Sequence, residues 1–201
     1  MRILFLNQYY IPDVAATGQL MADVAEELAA QGHEVHVICS RRSYYGGAAE
    51  FMPYEVTNGV YIHRVRATGF GRGRPVGRMI DYVSFYVLAA WRALRLVKMD
   101  VCMALTTPPF IALIGLMLRR LRGTKMLVWT MDVYPEVAVA FDVLREKSLL
   151  YRFLARVSRR VSRDAVAVIA LGDVMAERLK EAGVPHNKIV VVHNWVPGEG
   201  V

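Results

Sequence analysis

The sequence predicts an α/β fold with a doubly wound, mainly parallel sheet that carries helices on both faces. Short apolar runs typical of buried strands alternate with amphipathic stretches typical of helices from one end of the chain to the other. Neither internal repeats nor low-complexity linkers interrupt this alternation. With 201 residues and 55% hydrophobic content, the chain can bury a core as one domain, residues 1–201.

The first unit has the order strand, loop, helix, strand. Arg2–Leu6 is a short apolar run, and a loop separates it from apolar residues at helical spacing, which are Leu20, Val24 and Leu28. Gly32 stands where a glycine commonly ends a helix, and Glu34–Cys39 is rich in β-branched residues. We therefore expect two parallel strands joined by one helix.

The next section, residues 40–59, is rich in turn residues and is expected to be irregular and mobile. Asn58 and Gly59 predict a tight turn before a strand at Val60–Val65. Apolar residues then recur at helical spacing over Arg78–Lys98, which predicts a second helix.

The second half of the chain repeats the same order. Strands are predicted at Asp100–Leu105, Lys125–Trp129, Ala165–Leu171 and Ile189–Val192, and helices at Pro109–Leu121, Ser148–Arg163 and Asp173–Ala182. The uncharged stretch Val101–Leu118 contains Pro108 and Pro109. We interpret it as strand, turn and helix rather than as a membrane span.

The composition indicates the cellular compartment and the kind of partner. The net charge of +7 favours an anionic partner such as a phosphate, a nucleic acid or an acidic membrane surface. Cys39 and Cys102 lie in apolar runs, which predicts buried free thiols in a reducing compartment and hence the cytoplasm. The first residues lack the apolar region and cleavage site of a secretory signal.

Ligands of doubly wound sheets gather at the carboxyl ends of the strands. The candidate residues are therefore those directly after each predicted strand, namely Asn7, Ser40, Thr106, Thr107, residues 130–136, Gly172, His193 and Asn194. Asn194 is a candidate for ligand binding, but it could equally serve as a turn residue. The five histidines do not have the spacing of metal ligands, so no metal site is expected.

Thr17, Gly18 and Gln19 stand just before the first predicted helix. Free backbone N–H groups and the helix dipole favour an anion such as a phosphate there, and Gly18 would let a ligand approach the backbone closely. The alternative is that Thr17 only caps the helix and Gly18 only shapes the turn. The spacing fits neither a dinucleotide fingerprint nor a P-loop, so dinucleotide binding and NTP hydrolysis lose support.

Two carboxylates follow the strand Lys125–Trp129. Asp132 stands at a strand end, where a carboxylate can orient a sugar hydroxyl or assist proton transfer. Glu136 follows Pro135 at the expected start of a helix. In that first turn, Glu136 could contribute to the site or only complement the helix dipole.

Two predicted helices combine apolar and basic residues. Ser148–Arg163 carries leucines and valines on one face and arginines on the other, and Arg78–Lys98 adds aromatic residues such as Trp91. This combination fits a membrane surface better than a nucleic-acid groove, and no nucleic-acid-binding signature accompanies it. The alternative for the arginines is a solvated protein surface.

Four segments, taken together, resemble the N-terminal half of family 4 bacterial glycosyltransferases. They are NQYYIPDVAATGQLMADVAEELAAQGHEVHVIC, TTPPF, DVYPE and DAVAVIALGDVMAERLKEAGVPHNKIVVVHNWV, in this order. The likeness covers nearly the whole chain, and it is especially to enzymes such as the L-N-acetylfucosamine transferases of O-antigen, capsule and colanic acid assembly.

The resemblance implies the acceptor-side, Rossmann-like half of a GT-B enzyme that retains anomeric configuration and needs neither a metal nor a bound cofactor. A nucleotide-sugar donor would be the co-substrate, and a polyprenyl-diphosphate-linked or other glycan would be the acceptor, at the inner face of the cytoplasmic membrane. By this resemblance, Thr17, Gly18 and Gln19 lie near the donor phosphates. Asp132 would hold a sugar or acceptor hydroxyl, and Glu136 would support its loop.

In such enzymes the domain that binds the donor follows a segment like HNWV. The chain is therefore expected to be the acceptor-side domain alone, to work with its own C-terminal domain, and to transfer no sugar efficiently by itself. The alternative is a noncatalytic membrane-docking or ligand-binding module with a flavodoxin-like fold. A nucleotide-sugar epimerase or dehydrogenase is disfavoured, because the sequence has neither a dinucleotide fingerprint nor a Tyr-x-x-x-Lys pair.

Overall fold

The computed structural model describes residues 1–44, 51–70 and 75–195, and the structural statements that follow concern those residues. It confirms the predicted α/β fold with one mainly parallel sheet of eight strands, in the order β3-β4-β2-β1-β5-β6-β7-β8. The strands are β1 Arg2–Leu6, β2 Glu34–Ser40, β3 Tyr54–Thr57, β4 Val60–Val65, β5 Val101–Ala104, β6 Lys125–Trp129, β7 Ala167–Ala170 and β8 Ile189–Val191.

Six α-helices connect these strands. They are α1 Ala16–Ala30, α2 Pro75–Arg95, α3 Ala112–Arg122, α4 Glu136–Ala140, α5 Leu149–Asp164 and α6 Asp173–Glu181, and a short 3-10 turn spans His186–Lys188. The alternation read from the sequence is thus confirmed, with helix ends displaced by a few residues. None of the described helices combines the length and apolarity needed to cross a bilayer.

The prediction of an irregular segment over residues 40–59 was wrong in part. Tyr54–Thr57 forms β3, which pairs antiparallel with β4 at the edge of the sheet. Asn58 and Gly59 have φ angles of 49° and 79°, the positive values that a two-residue hairpin turn of this hand requires. The strand escaped prediction because an edge strand needs little apolar sequence. Residues 45–50 of that section, and 71–74 before α2, lie outside the described residues.

The two faces of the sheet have separate cores. On one face α1 packs with Leu20, Met21 and Ala25 against β1, β2 and β4. On the other face α2, α3, α5 and α6 cover the strands, with side chains such as Phe85 and Leu118 fully buried. Parallel strands buried on both faces need such continuous apolar sequence, which explains why the runs were recognisable.

The two cysteines occupy these cores as expected. Cys39 and Cys102 are fully buried and unpaired. Burial raises the pKa of both thiols to about 12, so both remain protonated and unreactive at neutral pH.

The strand order places one crevice in the sheet. From β1 the chain first moves to β2 on one side, and it later returns to β5 on the other side of β1. Loops that leave β1 and β5 therefore diverge to opposite faces, and the gap between them at the carboxyl ends is where doubly wound sheets bind ligands.

Candidate functional site

The crevice between β1 and β5 is bordered by polar loops that are tied to one another. The backbone N–H of Gln8, after β1, donates to the carbonyl of Thr107, after β5, at 2.8 Å. The N–H of Ser40, the last residue of β2, donates to the carbonyl of Gln8 at 2.8 Å. Backbone hydrogen bonds thus join three neighbouring strand ends into one continuous edge.

The first loop, residues 7–15, is held in a fixed shape by buried contacts. The side chain of Tyr10 is buried, and burial raises the pKa of its hydroxyl. Arg64 of β4 donates from Nη2 to the carbonyl of Ile11 at 2.7 Å. The N–H of Tyr44 donates to Oδ2 of the buried Asp13 at 2.7 Å. The loop therefore presents a rigid wall to the crevice.

Thr17, Gly18 and Gln19 lie inside the first turn of α1 and not before it, which corrects the predicted helix start. The N-cap is Ala15, which has no side-chain capping group. Its carbonyl accepts hydrogen bonds from the N–H groups of Gly18 at 2.8 Å and Gln19 at 3.1 Å. Thr17 is therefore not the cap, and the N–H groups of Gly18 and Gln19 are already engaged.

Gly18 meets the protein's own backbone. A Cβ atom at this position would lie 3.1 Å from the carbonyl carbon and oxygen of Tyr9 and 3.2 Å from Cα of Tyr10. Only glycine lets α1 pack this closely against the first loop. Its role in close packing is therefore visible, whereas anion binding by this turn stays a prediction.

Asn7 couples β1 to the first turn of α1. Its side chain is fully buried, and Nδ2 donates to the carbonyl of Tyr9 at 2.8 Å and to the hydroxyl of Thr17 at 3.3 Å. Its Oδ1 atom is buried without a hydrogen-bond donor in the described chain. In the sequence, Asn7 was a candidate only because it follows a predicted strand. Its contact with Thr17 was not predicted, since Thr17 lies ten positions away across a loop.

Asp132 lies on the other side of the crevice, after β6. The hydroxyl of Thr106 accepts hydrogen bonds from the backbone N–H groups of Met131 and Asp132, both at 3.0 Å. This contact fixes the backbone that carries the Asp132 carboxylate. Thr106 was one of the predicted strand-end candidates. Its support of Asp132 was not predicted, because it depends on the pairing of β5 with β6.

The Asp132 side chain borders a cavity of about 50 Å³ on the helix-rich face. Apolar side chains and hydroxyl groups line the cavity together, among them Phe110, Thr130, Val133, Tyr134, Ser158 and Val161. Burial raises the pKa of the Asp132 carboxyl, and burial followed by the nearby Asp132 charge raises the pKa of Tyr134. A carboxylate in such surroundings is poorly solvated and is suited to hold a hydroxyl group.

Glu136 faces α5. It opens α4 after Pro135, as predicted, and Tyr151 donates from its hydroxyl to Glu136 Oε1 at a long 3.5 Å. The other oxygen, Oε2, is buried without a partner in the described chain. This geometry fits support of the Asp132 loop, and a direct part of Glu136 in a reaction stays a prediction.

The last candidates are spread apart. Asn194 and His193 are exposed after β8, and only His193 approaches a neighbouring strand end, at Gly172. Trp195, which was not among the predicted site residues, donates from Nε1 to Asp23 of α1 at 2.8 Å. Its ring stacks on Trp129 with centroids 6.0 Å apart. The segment after β8 is thus fastened across the sheet on the α1 side.

The crevice therefore has two polar walls. Thr17, which the buried Asn7 supports, stands on the α1 side, and Thr106 and Asp132 stand on the helix-rich side. The ends of β1 and β6 are two strand spacings apart, about 10 Å.

A second surface lies on the outer side of α2. Its exposed apolar side chains recur at helical spacing, at Val76, Met79, Ile80, Val83, Val87 and Trp91. The guanidinium of Arg95 lies 3.7 Å from the centre of the Trp91 ring. Such a row of exposed apolar residues marks an interaction surface, since soluble monomers rarely expose contiguous apolar patches.

Comparison with known proteins identifies the family. Residues 16–195 match the model of the glycosyl transferase 4-like domain. The chain is also similar to a probable glycosyltransferase, WbjE, of Pseudomonas aeruginosa, with 29% identity over 96 residues. That alignment covers 48% of this chain and 24% of WbjE.

Solved structures share the fold at low identity. Sucrose-phosphate synthase of Thermosynechococcus elongatus superposes with a TM-score of 0.66 and 13% identity, over 96% of this chain and 48% of that one. Anabaena Alr3699/HepE in complex with UDP and glucose gives 0.59 and 16%, over 96% of this chain and 44% of that one. This chain thus spans less than half the length of these proteins. Because the family match extends over most of the chain, the chain belongs to the glycosyl transferase 4-like domain family.

Proposed function

We propose that the chain is the acceptor-side domain of a retaining GT-B glycosyltransferase. It moves a sugar from a nucleotide-sugar donor to a polyprenyl-diphosphate-linked or other glycan acceptor in the synthesis of cell-surface polysaccharide such as O-antigen or capsule. The observation that carries the proposal is the two-walled crevice between β1 and β5 in a chain of this family. A domain of similar fold in HepE belongs to a protein solved with UDP and glucose.

In this proposal the two walls hold opposite ends of the reacting pair. The first turn of α1, with Thr17 and Gly18, stands near the donor diphosphate, and Asp132 orients a hydroxyl of the sugar or acceptor. The acceptor oxygen forms a bond to the anomeric carbon as the bond from that carbon to the diphosphate breaks. The acceptor proton passes to the departing diphosphate oxygen. Thr106 and Glu136 keep the Asp132 loop in place.

We further propose that the domain works at the inner face of the cytoplasmic membrane, where a lipid-linked acceptor would be reached. The exposed apolar row of α2 and the arginines of α5 support this placement, because apolar and basic residues together suit an anionic bilayer surface. The donor would be held mainly by a C-terminal domain, so the 201-residue chain alone is expected to transfer sugar at a negligible rate.

The test is Asp132→Asn in the two-domain enzyme, assayed with its donor and acceptor. We expect turnover to fall about a hundredfold, as for loss of a positioned carboxylate. The melting temperature should stay level or rise, because an ionised carboxylate whose pKa is raised by burial costs folding energy. Glu181→Gln, which replaces an exposed carboxylate at the end of α6, is the matched control and should leave turnover unchanged. Equal turnover in Asp132→Asn and wild type would remove Asp132 from the mechanism.

A further inference from the structure

The turn between α4 and α5 exposes large apolar side chains to an unusual degree. Phe141, Val143 and Leu149 are 76%, 80% and 81% exposed, and Leu150 and Phe153 are more than half exposed. Residues 141–150 are called the α4–α5 turn below. This segment was not singled out from the sequence, since its apolar residues have no clear period.

The exposure does not come from a loose backbone. Asp142 adopts a φ of 55°, and the N–H groups of Val143 and Leu144 both donate to the carbonyl of Ala138, at 2.9 and 3.0 Å. Ser148 caps α5 by accepting the N–H of Tyr151 at 3.1 Å. The turn is thus closed at both ends by hydrogen bonds, and it holds its apolar side chains outward.

Basic residues accompany these apolar tips. Residues 141–164 contain seven basic and three acidic side chains, and the basic ones are Arg145, Lys147, Arg152, Arg156, Arg159, Arg160 and Arg163. One of the three acidic residues, Asp164, is already paired with Arg160 at 3.1 Å and with Arg120 at 3.5 Å. Within the turn, residues 141–150, two basic and two acidic side chains balance. Residues 145–156, which include the exposed Leu149, Leu150 and Phe153, carry four basic side chains against one acidic side chain, Glu146, so the positive charge accompanies the start of α5.

We infer that the α4–α5 turn inserts into an anionic lipid bilayer, with Phe141, Val143 and Leu149 among the lipid tails and the neighbouring basic residues on the headgroups. Apolar tips beside Lys and Arg are the chemistry that lipid interfaces select. Basic side chains beside apolar ones are attracted by the negative surface potential of anionic headgroups. The charge thus favours a membrane over a second protein domain as the occupant.

The location of the turn gives the insertion a consequence. Glu136 of the Asp132 loop contacts Tyr151 just beyond the turn, and Ser158 and Val161 of α5 line the cavity beside Asp132. Insertion would therefore bring the mouth of the crevice to the bilayer surface. The inference rests on the proposed membrane-linked function and adds which segment enters the lipid.

The experiment measures binding of the 201-residue chain to vesicles of phosphatidylglycerol and phosphatidylcholine by co-sedimentation. The double variant Phe141→Asp with Leu149→Asp should weaken binding at least about tenfold, since two inserted apolar groups are lost. Val174→Asp, at a site of α6 that is 74% exposed, is the matched control and should bind like wild type. Far-UV circular dichroism verifies that each variant is folded.

Insertion is measured separately by tryptophan fluorescence. In a Trp91→Phe background, which removes the exposed native tryptophan of α2, Phe141→Trp should be quenched by brominated lipids, whereas Val174→Trp should not. Val83→Asp with Val87→Asp on α2 separates this inference from the wider membrane proposal. If the α2 variant alone loses binding, membrane docking stands and the α4–α5 turn is wrongly assigned. If neither the wild-type chain nor any variant binds anionic vesicles, the proposed membrane placement of the domain and the insertion of the α4–α5 turn are both wrong. Loss of stability of the two-domain protein in the turn variant, with lipid binding intact, would assign the turn to a domain interface instead.

Discussion

The two faces of the sheet differ in how tightly their helices are packed. On the α1 face one helix lies so close to the first loop that Gly18 touches the backbone of Tyr9 and Tyr10. On the opposite face four helices cover the sheet, yet that face contains a cavity beside Asp132 and a chain of buried polar side chains. The α1 face is thus the more tightly packed one, although a single helix covers it.

The polar chain on the helix-rich face links two strands, β2 and β4, to helix α2. Arg92 of α2 can only donate, so it donates to Nδ1 of His63 at 2.7 Å. The Nε2–H of His63 then donates to Nδ1 of His36 at 3.0 Å, and the Nε2–H of His36 donates to Glu34 at 3.0 Å. Every group has its partner only while the His63 imidazole is neutral.

The contrast matches the proposed division of labour. A donor diphosphate has one shape, so a rigid α1 face can be built for it. An acceptor glycan is larger and more variable, and a cavity flanked by hydroxyl groups can adjust to it. Substitutions that add volume should therefore lower the free energy of unfolding more on the α1 face than beside the cavity.

The largest effect is expected from Gly18→Val. Its branched side chain must enter a space already filled by the backbone of Tyr9 and Tyr10, so the free energy of unfolding should fall by about 3 kcal/mol. Ala16→Val in the same helical turn, where the side chain is exposed, should cost only about 0.5 kcal/mol. Urea denaturation measures both. Equal costs would show that the α1 face is not tightly packed.

A smaller effect is expected from acid on the helix-rich face. Burial, and then the charge of Arg92, lowers the pKa of His63 to about 4. Because the unfolded chain binds this proton near pH 6.5, stability is fully present above that value and is lost as the pH falls toward 4. The loss should reach about 2 kcal/mol by pH 5.

His63→Gln provides the comparison for this pH dependence. Glutamine can accept from Arg92 and donate to His36, but it does not titrate. The difference in stability between pH 7 and pH 5 should therefore shrink in this variant, while His186→Gln, at an exposed site, should keep the wild-type difference. An unchanged pH dependence in His63→Gln would mean that the buried chain tolerates a charged imidazole.

The smallest effect is expected where the cavity leaves room. Ala112 lines the cavity beside Asp132, so Ala112→Val should change the free energy of unfolding by no more than about 0.5 kcal/mol. Ala22→Val, at a buried site of α1, should cost about 2 kcal/mol. If Ala112→Val were the costlier change, the proposed difference between the two faces would be wrong.

The sequence was most informative where a residue's role depends on its immediate neighbours. Strands β1, β2 and β6 were predicted because buried parallel strands require unbroken apolar runs. Edge strand β3 was missed because one neighbour and one exposed face demand little of its sequence. The start of α1 was misplaced because Ala15 caps the helix with its backbone only, without a Ser, Thr, Asn or Asp to mark it.

The candidate site shows the same limit. Asp132 and Thr17 could be chosen from the sequence because strand ends and helix starts are local features. Asn7 and Thr106 were also chosen as strand-end residues, but their supporting contacts could not be predicted. Thr106 reaches Asp132 across the β5–β6 pairing, and Asn7 reaches Thr17 across a loop. His36 and His63 likewise meet only because β2 pairs with β4.

By itself, the sequence determined the fold class, the buried thiols and the strand-end positions of the candidate residues, because these follow from periodicity and local preference. Only the tertiary structure decided that Gly18 packs against backbone, that a cavity lies beside Asp132, and that the α4–α5 turn holds its apolar residues outward. Each of these depends on which distant segments the sheet brings together, and a chain's local pattern does not specify its neighbours in space.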